Sequence, residues 1–130
     1  MIRKLKIICL LLLLPIYLVA QEPSTNSSNQ NDLLTGKWKV DLRPAPNSDE
    51  YYQPFLVKSI NNNTFTGTFY GSDIKNALIN ENWSKLYFAF STSDQSNDYY
   101  HSGYLENGKL YGITYCPNRE FTAPWTATRD

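Results

Sequence analysis

Two stretches that alternate from face to face, Tyr99 to Leu105 and Lys109 to Cys116, flank the dipeptide Asn107-Gly108. Asn-Gly supplies the two positive φ angles of a type I′ turn, whose twist matches that of the strands it joins, so the segment reads as a β-hairpin of defined register. With Glu106 facing Lys109, Leu105 faces Leu110, Gly103 faces Gly112, His101 faces Thr114 and Tyr99 faces Cys116. A slip of one residue would turn every side chain to the opposite face, so this register constrains the whole fold. A charge pair between Glu106 and Lys109 marks their face as the outer one. Leu105, Leu110, both glycines, His101 and Cys116 then point inward.

The same period of two recurs along the chain. Lys37 to Arg43 forms a first strand, with Trp38, Val40 and Leu42 on one side. Tyr51 to Ile60 follows, then the turn Asn61-Asn62-Asn63 and a third strand from Thr64 to Tyr70. Gly71-Ser72-Asp73 turns the chain into a short strand at Ile74 to Ile79, the weakest pattern of the set. Asn80-Glu81-Asn82 ends it, and Trp83 to Thr92 resumes the alternation through Leu86, Phe88 and Phe90. The last strand is Phe121 to Arg129, with Phe121, Ala123, Trp125 and Ala127 in phase and Pro124 marking a strand entry or a bulge. An aromatic content of 15% suits half-buried pleated surface.

Counting the hairpin, these are eight strands in sequence order, joined by short connections without a helical pattern. The expected fold is an all-β, eight-stranded antiparallel up-and-down barrel, since closure removes both exposed sheet edges. After an even number of passes the chain returns to its starting level. Arg129 is therefore expected near Trp38, its guanidinium over the indole face, where such contacts stabilise by about 0.5–2 kcal/mol.

Met1 to Ala20 has the form of a secretory signal: Arg3, Lys4 and Lys6, then an apolar run from Ile7 interrupted by Pro15, then a small residue. Cleavage after Ala20 is expected, placing the mature chain in a secreted or periplasmic setting with no membrane attachment. Residues 21–32 carry no aliphatic or aromatic side chain and read as a polar tether, leaving 33–130 as the barrel domain. Beyond Ala20 the chain has 9 Lys and Arg against 12 Asp and Glu, a net charge of −3. No basic stripe exists to engage nucleic acid. Cys116 is the only cysteine beyond the signal, which excludes an intrachain disulfide in the mature chain.

Gly36-Lys37-Trp38 at the first strand, with an arginine ending the last, resembles the Gly-x-Trp and closing-arginine signature of the calycins, the group of lipocalins, fatty-acid-binding proteins and avidins. The tail APWTATR and the pieces FTGTFYGS and SGYLENGKLYG are similar to small lipocalin-like barrel modules of exported bacterial proteins. The resemblance spans Gly36 to Arg129 and implies a meander barrel that binds small molecules. An avidin-like biotin site would need Asn and Ser where this chain has Val40 and Pro44, and Trp where it has His101, so biotin is not the implied ligand.

In an eight-strand meander, the connections Pro44 to Glu50, Ser93 to Asp98 and Pro117 to Glu120 fall at the end opposite Trp38 and Arg129. Binding residues favour such irregular loops on a rigid scaffold. Leu42, Phe69, Phe90, Tyr99, His101, Cys116 and Phe121 are the inner-phase residues expected to line a ligand site there. A barrel of this size either holds one small ligand or is filled by its own side chains, and both readings fit. His101 and Cys116 fall on diagonal inner positions, within reach of a thiolate and imidazole pair, but no third residue orients the histidine and no oxyanion donor is evident. The expectation is a non-enzymatic protein without metal or cofactor, because one His and one Cys do not complete a ligand set. The carboxylates are scattered, and Asp94 to Asp98 lacks the ligand spacing of a calcium loop. Outward, Tyr100, Tyr104, Tyr111, Ile113 and Tyr115 form a patch suited to another copy of the chain, a protein partner or a glycan. Two functions follow: binding a small apolar or aromatic ligand at the loop end, or an interaction or inhibitory module with a filled core.

Overall fold

A computed structural model describes residues 32–130. The signal expected at 1–20 and the expected tether from 21 to 31 lie outside the described residues, and Asp32, its expected last residue, stands in a helical turn. The chain runs β1 (Gly36–Asp41), β2 (Tyr52–Asn61), β3 (Thr64–Phe69), β4 (Ser72–Asp73), β5 (Lys75–Asn80), β6 (Leu86–Ser93), β7 (Asp98–Glu106), β8 (Lys109–Cys116) and β9 (Phe121–Arg129). All pairings are antiparallel, in the order β2-β1-β9-β8-β7-β6-β5-β3-β4, and β2 also pairs with β3. That last pairing closes the sheet into a barrel. β4 and β5 together make one stave, so the barrel has the eight staves expected.

The hairpin adopts the derived register, from Glu106 opposite Lys109 to His101 opposite Thr114. Asn107 and Gly108 have φ of 51° and 74°. The charge pair is corrected: Glu106 binds Lys85 at 3.2 Å, while Lys109 lies over the Tyr111 ring. Lys85 reaches Glu106 from the bend before β6, and the neighbouring tyrosine face gives Lys109 an alternative partner. The inner and outer faces are nevertheless as assigned.

Three local departures have physical causes. The strand expected at Ile74 to Ile79 is interrupted: Asn76 adopts φ 51°, and the register to β6 shifts between Lys75 and Leu78. A left-handed residue inserts a bulge, and β3 pairs with β5 at Thr64 opposite Leu78 alone. β6 begins at Leu86 and not at Trp83, whose side chain is 72% exposed. Pro124 stands inside β9, opposite Ile113, where the ladder to β1 has already ended at Thr126. A residue without an N–H is tolerated at such an edge.

At the end holding Trp38, a helical turn at 32–34 lies across the barrel. Trp38 Nε1–H donates to the Leu34 carbonyl at 2.8 Å. The Arg129 guanidinium lies 4.1 Å from the Trp38 ring centroid and donates to the carbonyls of Asp32, Leu33 and Thr35. The expected Trp38 and Arg129 closure is therefore present. Gly36, at φ 124°, leaves room for it, since a Cβ there would sit 2.7 Å from an Arg129 nitrogen.

Above this cap the interior is aromatic. Phe55 is fully buried, with ring centroids 5.4 Å from Phe69, 5.3 Å from Phe90, 6.2 Å from Phe88 and 6.3 Å from Trp125. Gly103 and Gly112 face each other across the hairpin, and a Cβ on Gly112 would fall 2.2 Å from the Trp125 ring. Gly112 thus makes room for the Trp125 ring and Gly103 for the Phe88 ring, to which a Cβ would come within 2.7 Å.

Candidate functional site

At the other end, where the β1–β2, β6–β7 and β8–β9 connections meet, the packing leaves a cavity of about 530 Å³. That is within the range of small-molecule sites. Alternation along the strands builds its walls. β7 contributes Tyr99 and His101, β8 Thr114, β6 Thr92, β3 Phe69, and the start of β9 Phe121 and Ala123. Leu42 and Tyr51 enter from the first connection.

The floor is a hydrogen-bonded chain. Trp125 Nε1–H donates to Thr114 Oγ1 at 3.1 Å, Thr114 Oγ1 lies 2.8 Å from His101 Nδ1, and His101 Nε2 lies 2.9 Å from Thr92 Oγ1. Thr92, His101 and Thr114 are all buried. The imidazole packs against the rings of Phe69 and Phe90, with centroids at 4.4 Å and 4.7 Å. Burial in this apolar setting pushes the His101 pKa down to about 4, so the ring is neutral at physiological pH.

The rim is polar and shaped by its loops. Asp94 accepts from the backbone N–H groups of Ser96 and Asn97 and from the Tyr99 hydroxyl, and these bonds hold its carboxyl below the usual range. The Arg119 guanidinium donates to the Tyr99 hydroxyl at 3.1 Å and lies over Phe121. Opposite, the hydroxyls of Tyr51 and Tyr70 are in contact. Tyr70 and Gly71 form the β3–β4 turn with φ of 53° and 79°. A left-handed tyrosine costs about 1–2 kcal/mol, and here that conformation sets its ring at the cavity edge.

Of the residues nominated from sequence, Leu42, Phe69, Tyr99, His101 and Phe121 line this cavity. Phe90 lies below it in the aromatic core, and Cys116 is fully buried outside the lining. His101 and Cys116 hold the expected diagonal inner positions, and both imidazole nitrogens are bonded to threonines. Sequence reasoning missed Tyr51, Tyr70, Thr92, Asp94, Thr114 and Arg119. Thr92 and Thr114 carried a usable signal, as polar residues in the inner phase of apolar strands.

The outer tyrosines fall in two rows on one face, with the exposed Ile113 between them. Tyr87, Tyr104 and Tyr111 align across β6, β7 and β8, with Tyr104 and Tyr111 stacked at 5.3 Å. Tyr100 and Tyr115 pair at 6.4 Å in the second ridge. Ala89, Ser102, Ile113 and Pro124 form the row between them, because residues two apart on a strand share a face. Compared with protein-family models, with curated proteins and with solved structures, the chain shows no match in any of the three.

Proposed function

We propose that this protein is an exported, non-enzymatic, calycin-like barrel that binds a small apolar or aromatic molecule at its loop end. The observation that carries this reading is the cavity at the barrel mouth, walled by Leu42, Phe69, Tyr99 and Phe121 and floored by neutral, hydrogen-bonded polar groups. Apolar walls with a few placed polar groups are what such ligands require. The calycin-like assignment is supported by Gly36, Trp38 and Arg129, which meet at the closed end in the manner their resemblance implies. The non-enzymatic part draws on the burial of His101, which makes the ring a weak base with a pKa of about 4, and on its partners, which are threonine hydroxyls and not a carboxylate that would raise its basicity. Native mass spectrometry of protein purified gently from its exporting host tests the reading. A native mass above the denatured mass by a discrete small-molecule increment is expected, and a clean monomer would count against it.

The two tyrosine ridges favour a second reading, an interaction module whose partner lies across the outer face. Tyr104 and Tyr100 are four residues apart, so the ridges stand about 13 Å apart along the strands. Concentration-dependent sedimentation that disappears in Tyr104→Ser with Tyr111→Ser would support its self-associating form. A monomer at every concentration would remove that form.

A further inference from the structure

The chain Trp125, Thr114, His101, Thr92 can be counted proton by proton. Trp125 only donates, each threonine hydroxyl donates once and accepts twice, and a neutral imidazole has one N–H and one bare nitrogen. If Nδ1 holds the proton, it donates to Thr114 Oγ1, which also accepts from Trp125. Thr92 O–H then donates to Nε2, and the Thr114 hydroxyl proton is left over. If Nε2 holds it, Nε2–H donates to Thr92 Oγ1 and Thr114 O–H donates to Nδ1. The Thr92 proton is then left over. Neither hydroxyl has another partner among the described residues. Both threonines are buried and both line the mouth cavity.

Every arrangement of the neutral network therefore holds one unspent O–H donor on the cavity floor, no unspent acceptor nitrogen, and hydroxyl lone pairs as the only acceptors left over; a buried donor left unpaired is the costlier of the two. A tautomer change moves that donor from one wall to the other without adding charge. At the rim, Asp94 and Arg119 offset one another, and both already bond to the Tyr99 hydroxyl. Nothing in the lining selects for an ion.

We infer that the ligand is a neutral, ring-bearing molecule with a carbonyl or ether oxygen at its buried tip, which accepts the unspent hydroxyl proton of Thr92 or Thr114. This inference rests on the mouth cavity being the binding site. A buried donor left unpaired disfavours a ligand that lacks the oxygen, so the floor discriminates by chemistry where the walls discriminate by shape.

The test uses two fluorescent probes with one skeleton: 6-propionyl-2-dimethylaminonaphthalene and its 6-propyl counterpart, which has a methylene in place of the carbonyl. Both should bind the wild-type protein and be displaced in Ala123→Trp, which fills the mouth. The ratio of ketone to propyl affinity should fall about fivefold or more in Thr92→Val with Thr114→Val, the worth of one net hydrogen bond. It should survive in Thr92→Ser with Thr114→Ser, which keep the hydroxyls. The carbonyl stretch of the ketone bound to wild type should lie below its frequency in hexane, a readout that holds even if the double valine variant does not fold. An unshifted stretch, or an unchanged ratio in a folded valine variant, overturns the acceptor inference while binding of both probes sustains the mouth reading. Failure of both probes to bind, or binding that Ala123→Trp leaves intact, overturns the two together.

Discussion

His101 Nδ1 lies 2.8 Å from Thr114 Oγ1, the residue directly opposite it across the β7–β8 ladder. A second threonine on β6 holds the other nitrogen, so the imidazole is clamped between neighbouring strands. Burial lowers its pKa from 6.5 to about 4. The unfolded chain therefore binds this proton more readily than the folded one. Stability is unaffected above about pH 6.5 and is lost as pH falls toward 4. Urea unfolding at pH 7 and pH 4.5 should differ by about 2–3 kcal/mol more in wild type than in His101→Gln, which cannot titrate. Equal differences in the two proteins would contradict a buried neutral histidine.

The barrel cap should behave as a coupled unit. In Gly36→Ala the new Cβ meets the Arg129 guanidinium and the backbone is held at φ 124°, so a loss of about 2 kcal/mol is expected. Arg129→Ala removes the contact with Trp38 and the donors to the helical turn. In that background Gly36→Ala should cost measurably less, by about 0.5 kcal/mol or more in a double-mutant cycle. Strict additivity would show that the two residues do not share this site.

Gly112→Ala probes the other close approach. A methyl group would enter the Trp125 ring, and overpacking of this kind costs about 1–3 kcal/mol. The displaced indole should also weaken its bond to Thr114 and alter the tryptophan emission of the folded protein. Gly71→Ala makes the contrast, since a Cβ there meets nothing within 4 Å and only the positive φ is strained.

Phe55 holds the aromatic interior together. Phe55→Ala should destabilise by about 3–5 kcal/mol, because four neighbouring rings lose a packing partner. Tyr115→Ser, on a ring 53% exposed on the outer face, should change stability by less than about 0.5 kcal/mol. Comparable losses in thermal or urea unfolding would mean that the outer ridges are structural.

Cys116 is a free thiol with no exposed surface. It should resist Ellman's reagent in the folded protein and react stoichiometrically in denaturant. Rapid labelling under native conditions would place it at an accessible site.

The sequence alone determined the hairpin register, the inner and outer phases of β7, β8 and β9, and the meeting of Trp38 with Arg129. Each depends on local rules: a two-residue Asn-Gly turn, a side-chain period of two, and the parity of an up-and-down meander. Tertiary structure decided the rest. Thr92 reaches His101 because β6 pairs with β7 in one register, which no turn signal between those strands specifies. Glu106 takes Lys85 as its partner because a bend distant in sequence ends beside it. Between a filled and a hollow interior, the outcome is an aromatic core beneath an open mouth. Empty volume is what remains after all side chains have packed, and that remainder belongs to the whole barrel rather than to any strand.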